Sequence, residues 1–224
     1  NGSIDVTQGV IWRQLLALCV PIFFSSFLQQ AYALNTYIVG QFGGKIALGG
    51  IQSTLSLSEL AIGFCVGLGA GCAVITGQFF GQRDDDRLSR SVHTAMTLAL
   101  IIGACISVFG VIFLPSILTL MGTPDELMWE PWLFSLHFGA MVFSLVLNMG
   151  TALLRAVGDT RAPALIIASG CIFNVVFDLI FVAWFKMEAL GCGIATALTI
   201  AINASMVLLR LMRADGPWHL EFSR

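Results

Sequence analysis

Long apolar stretches separated by short charged or turn-rich stretches dominate the pattern of this chain. About 20 helical residues are needed to cross a bilayer core about 30 Å thick. Six apolar runs reach that length, and they lie near residues 13–40, 46–79, 92–114, 132–154, 163–185 and 190–212. The stretches between them fall at 41–45, 82–90, 122–131, 155–162 and 186–188. The pattern predicts an all-α bundle of six transmembrane helices.

A transmembrane β-barrel would show a different pattern. Barrel strands alternate apolar and polar residues over about ten positions, whereas residues 96–114 do not alternate. The composition also points to a membrane, since 57% of residues are hydrophobic, 11% are charged and the mean hydropathy is +0.89. A soluble domain carries roughly 25% charged residues. The lipid bilayer is therefore the expected partner, and a net charge of -2 gives no reason to expect nucleic acid.

The positive charges predict how the chain is oriented. With six spans, the N-terminus, the second and fourth loops and the C-terminus share one side of the membrane. All the arginines of the chain fall on that side, whereas Lys45 and Lys186 fall on the other. Positively charged residues concentrate in cytoplasmic loops. We expect a multi-pass membrane protein with both termini in the cytoplasm.

The sequence gives no indication of an enzyme. It contains no H-E-x-x-H, G-x-S-x-G or Walker-type motif. The 6 cysteines all lie inside predicted spans and none forms a C-x-x-C pair, so they are expected to act as small apolar packing residues. Neither a resident metal nor an organic cofactor is expected.

Polar residues inside the predicted spans are the candidates for function. A charged side chain near the bilayer centre costs about 3 kcal/mol on insertion scales, so it needs a reason to be there. Asp178 lies four residues after Asn174 in the fifth span, which places both on one helical face. Asn35, Asn148 and Thr196 add oxygen atoms at membrane depth. These oxygens suit a monovalent cation or a shared proton, although they could also simply hydrogen-bond helices together.

Three other features are open to more than one interpretation. Glu59 is a second carboxylate within a span, but no polar residue clusters with it in the sequence. Pro21 bends the first span, either as a static kink or as a hinge. Gly63, Gly67 and Gly71 repeat at four-residue spacing and are joined by Gly69, Gly77 and Gly81, which predicts that a neighbouring helix packs closely on this span.

Six segments, in order along nearly the whole chain, resemble the multidrug and toxic compound extrusion (MATE) transporters, most closely their DinF-like bacterial branch. They are residues 34–42 (LNTYIVGQF), 67–71 (GLGAG), 78–81 (QFFG), 121–124 (MGTP), 154–161 (LRAVGDTR) and 191–196 (GCGIAT). The resemblance implies secondary active export of drugs and toxic organic compounds across the inner (plasma) membrane of a bacterium, driven by a proton or sodium gradient. It also implies that this chain is the N-terminal six-helix lobe of a twelve-helix transporter, with residues 213–224 connecting to a second lobe.

The resemblance further implies a cation or proton site in this lobe. Carried over to this sequence, that site falls on Asn35, Asn174, Asp178 and Thr196, with Asn148 nearby. The same residues stand out above by their depth in the membrane.

The chain departs from the family pattern in two respects. Asn35 stands where the family has aspartate, either by natural divergence or, as we favour, through an engineered substitution that imitates the protonated carboxyl. Asparagine cannot exchange a proton, and its lack of charge makes sodium binding less favourable. The second lobe is also absent, so the chain is interpreted as a fragment, as part of a longer protein, or as a half-transporter that dimerises, in that order of preference.

The resulting hypothesis is a cation-coupled multidrug antiporter. Protonation at Asp178, together with Asn35, would change the hydrogen bonds between the first, fifth and sixth spans, and bending at Pro21 would then narrow the drug cavity. Two alternatives remain: a lipid or lipid-linked precursor flippase of the same superfamily, and an uncoupled structural or channel-like protein. A flippase is expected to line its cavity with basic residues, and this sequence has none in the middle of a span.

Overall fold

A computed structural model describes residues 19, 20, 23, 44–120, 136, 138–185, 187–213 and 219. Within these residues five long helices follow one another. They are α1 (Gly44–Gln82), α2 (Asp85–Leu120), α3 (Met141–Ala156), α4 (Arg161–Asp178) and α5 (Glu188–Met212). A π-helix, Leu179–Trp184, continues α4 directly. These helices coincide with the second to sixth predicted spans, and the first predicted span lies almost entirely outside the described residues.

Four segments of the described residues are long and apolar enough to cross a membrane: Ile62–Gln82, Asp85–Phe113, Arg161–Val182 and Gly191–Met212. Met141–Ala156 is a shorter apolar helix. Many large apolar side chains on these helices face outward, such as Phe64, Ile112 and Leu165. An outward apolar surface is stable only in lipid or against another apolar partner. The predicted all-helical membrane architecture is confirmed.

Helix α3 lies at the centre of the packing. It contacts α1, α2 and α5, while α4 packs mainly on α5. The core is built from apolar residues of this central helix, among them Leu145, Met149 and Leu153, together with Val92 and Val207 from its neighbours. Each of these side chains is at most 2% exposed. Helix α4 therefore meets the other described helices mainly through α5.

The connection between α1 and α2 is shorter than the sequence predicts. Residues 82–90 were expected to form a loop, but only Arg83 and Asp84 separate the helices. Arg83 adopts a left-handed backbone conformation (φ 56°), and the N–H groups of Arg83 and Asp84 donate to the carbonyls of Phe80 and Phe79. Asp84 then accepts the N–H of Arg87 at 3.1 Å and caps α2. The acidic residues therefore begin a helix instead of forming a loop, because carboxylates stabilise a helix N-terminus.

The connection between α3 and α4 repeats this design. Gly158 has φ 83°, and its N–H and that of Asp159 donate to the carbonyls of Arg155 and Leu154. Glycine takes up this left-handed conformation without steric cost. Asp159 accepts the N–H of Ala162 at 3.1 Å, and its other oxygen pairs with Arg210 of α5 at 2.8 Å. This ion pair ties the beginning of α4 to the end of α5.

Replacing Asp159 by alanine should destabilise the protein by about 2 kcal/mol. The variant removes a helix cap, worth about 1 kcal/mol, and a charge-assisted pair that is weakened because Arg210 is half exposed. Thermal unfolding in detergent measures the change. Asp159→Asn, which keeps the cap but not the charge, should lose about half as much. Equal losses in the two variants would contradict the assignment of two separate roles.

Among the described residues, the close contacts of the glycine-rich helix α1 involve glycines other than Gly63, Gly67 and Gly71. A Cβ atom placed on Gly63, Gly67 or Gly71 would meet nothing within 4 Å among the described residues. Gly69 and Gly77 instead approach α3, where added Cβ atoms would lie 3.5 Å from Ala152 Cβ and 3.7 Å from the Ala156 carbonyl oxygen. The contact with α3 uses Gly69 and Gly77, and packing at Gly63, Gly67 and Gly71 stays a prediction, because the first span lies almost entirely outside the described residues.

Candidate functional site

Asn174 and Asp178 lie on the buried face of α4, and each is 1% exposed. Four residues separate them, so their side chains project from the same side of the helix, one turn apart. Gly170 continues this face by one further turn and is buried as well. A carboxylate and a carboxamide are thus presented from α4 toward its partner, α5.

The facing surface of α5 brings the thiol of Cys192 to Asp178. The thiol of Cys192 interacts with both the carboxyl of Asp178 and the hydroxyl of Thr196. Gly191 permits this approach, because a Cβ there would lie 3.0 Å from the backbone carbonyl carbon of Phe181. Cys192 therefore belongs to the site, although the sequence analysis assigned it only a packing role.

Polar atoms of Asp178 and Asn174 lack hydrogen-bond partners among the described residues. By strict hydrogen-bond geometry, neither carboxylate oxygen of Asp178 has a partner there, and the same holds for Nδ2 of Asn174. A thiol is only a weak donor and does not replace a full partner. An unpaired carboxylate anion is costly to bury. Binding a proton or a cation would remove that cost, which makes this position suited to ion exchange.

A change of helix type begins directly after Asp178. Residues Leu179–Trp184 form a π-helix, and the N–H of Phe185 donates to the carbonyl of Ile180 at 3.0 Å. Phenylalanine rings at positions 173, 177, 181 and 185 line up along this segment with centroids 6.3–6.4 Å apart. π-helical turns are rare and frequently occur at functional sites. Here the widened turn marks the end of the helix that carries the carboxylate.

Asn203 is a buried polar residue that the sequence analysis missed. It is 1% exposed, its Oδ1 has no partner among the described residues, and its amide lies against Gly170 of α4. Its position seven residues after Thr196 places it on the same face of α5, which is the signal that could have identified it. The contacts Asp178–Cys192, Gly170–Asn203 and Asp159–Arg210 follow one another in antiparallel register along the two helices.

Replacing Gly170 by alanine should destabilise the α4–α5 pair by about 1–3 kcal/mol. A Cβ at this position would overlap the buried amide of Asn203, which would have to rotate. Thermal unfolding of Gly170→Ala, Asn203→Ala and the double variant measures the coupling between the two positions. The double variant should recover most of the stability lost in Gly170→Ala. Ser205→Ala, on the exposed side of α5, is the control and should change little. A double variant no more stable than Gly170→Ala would contradict the contact.

The remaining candidates of the sequence analysis are placed differently or lie outside the described residues. The amide of Asn148 donates to the Ser144 carbonyl of its own helix at 2.8 Å, and its backbone faces Gly69 of α1. Glu59 is exposed on α1. Asn35 and Pro21 both lie outside the described residues. Within the described residues, Asn174 and Asp178 share the buried face of α4, and Cys192 interacts with Asp178 and with Thr196.

The described residues contain no cluster of three or more histidine, cysteine, aspartate or glutamate side chains that could hold a metal ion. What the site offers is one carboxylate with amide and hydroxyl oxygens nearby. Such a set exchanges a proton or holds a hard monovalent cation.

Comparison with known proteins decides the family. The family model described as MatE matches residues 21–180, a range that contains the α1–α4 region and the site residues Asn174 and Asp178. This chain belongs to the MatE family. Members of this family are membrane transporters, not enzymes.

Individual MatE relatives carry several names. The probable multidrug resistance protein YoeA of Bacillus subtilis strain 168 is 28% identical over 218 residues, covering 96% of this chain and 47% of that protein. The FAD transporter of Shewanella oneidensis is 26% identical over 208 residues, covering 89% of this chain and 46% of that protein. The DNA damage-inducible protein F of Escherichia coli K12 is 25% identical over 228 residues, covering 95% of this chain and 49% of that protein.

Solved MatE-type structures show the same fold. The crystal structure of MATE in complex with MaD3S superposes with a TM-score of 0.92 at 20% sequence identity, over 99% of this chain and 50% of that chain. The chain spans about half the length of the curated relatives it matches. It corresponds to one lobe of such a transporter.

Proposed function

We propose that the complete protein is a secondary active antiporter that exports small organic drugs, often cationic, in exchange for protons. The observation that carries the proposal is Asp178, a buried carboxylate without a full hydrogen-bond partner among the described residues of a MatE-family lobe. The name of the relative YoeA supports drugs as the substrate class.

The surroundings of Asp178 favour a proton over sodium as the coupling ion. Sodium prefers a shell of several oxygen ligands, and Asn174 and Thr196 supply neutral oxygens at most. The neighbouring thiol of Cys192 is a soft ligand that suits a hard cation poorly. Position 35 is asparagine and adds no negative charge. One proton is sufficient to neutralise Asp178.

Protonation changes how strongly α4 and α5 hold each other at the site. The charged carboxylate attracts every donor within reach, whereas the neutral acid both donates and accepts one hydrogen bond. The π-helix that begins at Leu179 supplies a backbone segment with more than one hydrogen-bonding option. We propose that this difference reaches the first span through Asn35, and that Pro21 is the point at which that span bends to narrow the drug cavity.

A second six-helix lobe completes the transporter in this proposal, either in the same polypeptide or from a dimer partner. The chain matches about half of each related protein, which supports a missing lobe. Drug would bind in the cleft between or within the lobes. The arginine-rich side of the chain would face the cytoplasm, with both termini there.

Transport assays on the complete protein in proteoliposomes test the proposal. A pH gradient with equal sodium on both sides should drive export of a cationic fluorescent drug, and a sodium gradient at equal pH should not. Export driven only by sodium would contradict proton coupling. Drug movement that needs no gradient and never runs uphill would favour the channel-like alternative.

The substrate class needs its own comparison. One relative is named an FAD transporter, and lipid flippases belong to the wider superfamily that the sequence resemblance implies. A cationic drug, FAD and a fluorescent phospholipid are therefore offered to the same proteoliposomes. We expect the cationic drug to be exported fastest. Export of FAD or lipid without the drug would overturn the proposed substrate.

A further inference from the structure

We propose that the groove between the end of α1 and the beginning of α2 binds an anionic phospholipid. A cavity of about 320 Å³ opens there, and described residues of the two helices line it. This inference concerns a surface remote from Asp178 and does not depend on the proposed transport activity.

The groove changes from charged to polar to apolar along its length, in the same order as the headgroup, ester region and acyl chains of a phospholipid. Arg87 and Arg90 line the end next to the turn between the helices. Ser91 and Thr94 follow one turn deeper, and Ala95 and Leu98 form the far end. Guanidinium groups bind phosphate, hydroxyl groups suit the ester region, and apolar side chains suit an acyl chain.

The length of the groove fits one leaflet of a bilayer. Arg87 and Leu98 are separated along α2 by about 16 Å at 1.5 Å per residue. The hydrocarbon core is about 30 Å thick, so one leaflet occupies about 15 Å. The apolar wall on the α1 side, formed by Ile75 and Phe79, covers part of the same depth. The charged end therefore lies where headgroups lie.

Arg90 is the cation available to a ligand. Arg87 already pairs with Asp84, with Nε 3.2 Å from Oδ2. Within the part of the chain that the structure describes, no carboxylate pairs with Arg90, which is exposed. Asp85 and Asp86 occupy the first turn of α2 but do not line the groove. A basic side chain beside a membrane groove is a typical site for an acidic headgroup.

The floor of the groove is fixed. The hydroxyls of Thr76 and Ser91, itself a lining residue, lie 2.8 Å apart and join α1 to α2. Thr76 is fully buried, so this hydrogen bond holds the two helices at a constant separation. The groove is thus a preformed feature of the α1–α2 pair.

Native mass spectrometry of the complete protein, released from nanodiscs with equal phosphatidylglycerol and phosphatidylcholine, tests the proposal. We expect phosphatidylglycerol to be retained in preference. Arg90→Gln should reduce that retention about fivefold, the factor that corresponds to one basic residue. Arg213→Gln removes an exposed arginine on the same predicted membrane side and should leave retention unchanged. No preference in the unmodified protein, or an equal loss in both variants, would overturn the site.

A second pair of variants tests the acyl-chain part of the groove. Thr94→Phe fills the groove from an exposed position, whereas Thr97→Phe adds the same ring on the same helix outside it. Thr94→Phe should lower phosphatidylglycerol retention, and Thr97→Phe should not. If Thr94→Phe binds as much lipid as the unmodified protein, the headgroup is held without the groove and the proposal fails.

Discussion

Replacing Asp178 by asparagine should reduce drug export driven by a pH gradient by about two orders of magnitude or more. Asparagine has nearly the same shape, so packing on α5 is retained, but it cannot bind or release a proton. Without that exchange the gradient has no means of driving the conformational cycle, since an ion shifts an equilibrium only through its differential binding. The measurement is the initial rate of drug export from proteoliposomes that contain the complete transporter.

The control for this variant is Glu59→Gln. Glu59 is the other carboxylate that the sequence places within a span, and the structure places it on the exposed surface of α1. Its replacement should leave export near the unmodified rate. Drug binding without a gradient should survive in Asp178→Asn, which distinguishes lost coupling from lost folding. Export by Asp178→Asn at the unmodified rate would place the coupling group elsewhere.

Replacing Gly150 by alanine should cause a large loss of stability, about 1–3 kcal/mol. Gly150 lies on the central helix α3, and a Cβ there would overlap the Cγ1 atom of Val207 on α5. Val207 is fully buried and has one strongly preferred side-chain conformation in a helix, so it cannot rotate away. The helices would have to move apart. Thermal unfolding in detergent measures the effect.

Two further variants make this prediction specific. Val207→Ala in the Gly150→Ala background removes the overlapping methyl groups and should restore part of the lost stability. Gly81→Ala adds the same methyl group to α1 where nothing lies within 4 Å, and it should be neutral or slightly stabilising. Equal destabilisation by Gly81→Ala and Gly150→Ala would show that the loss does not come from the α3–α5 contact.

The membrane architecture could be predicted from the sequence, because the length and polarity of each segment decide whether it lies in lipid or in water. Long apolar runs such as residues 96–114 predict helices without any knowledge of their neighbours. The placement of Asn174 and Asp178 on one helical face was equally accessible, since it depends only on the period of one helix. The same local reasoning failed at residues 85–90, where aspartates that suggest a loop in fact begin α2.

Contacts between helices could not be predicted from one sequence. The spacing of Gly63, Gly67 and Gly71 predicts a packing face, but it does not predict that Gly69 and Gly77 approach α3. Spacing places Asn203 on the same face as Thr196, but the antiparallel register of α4 and α5 is needed to show that Cys192 and Asn203 face Asp178 and Gly170. Register depends on how two helices fit together, which is a property of both surfaces at once.

The most direct test of the account is the proton movement that accompanies drug transport. A pH-sensitive dye enclosed in proteoliposomes reports protons crossing the membrane when drug is added to the complete transporter without an imposed gradient. The account predicts a drug-dependent proton flux in the direction opposite to the drug, present with either asparagine or aspartate at position 35 and absent in Asp178→Asn. An undiminished drug-dependent proton flux in Asp178→Asn would contradict the assignment of Asp178 as the coupling group.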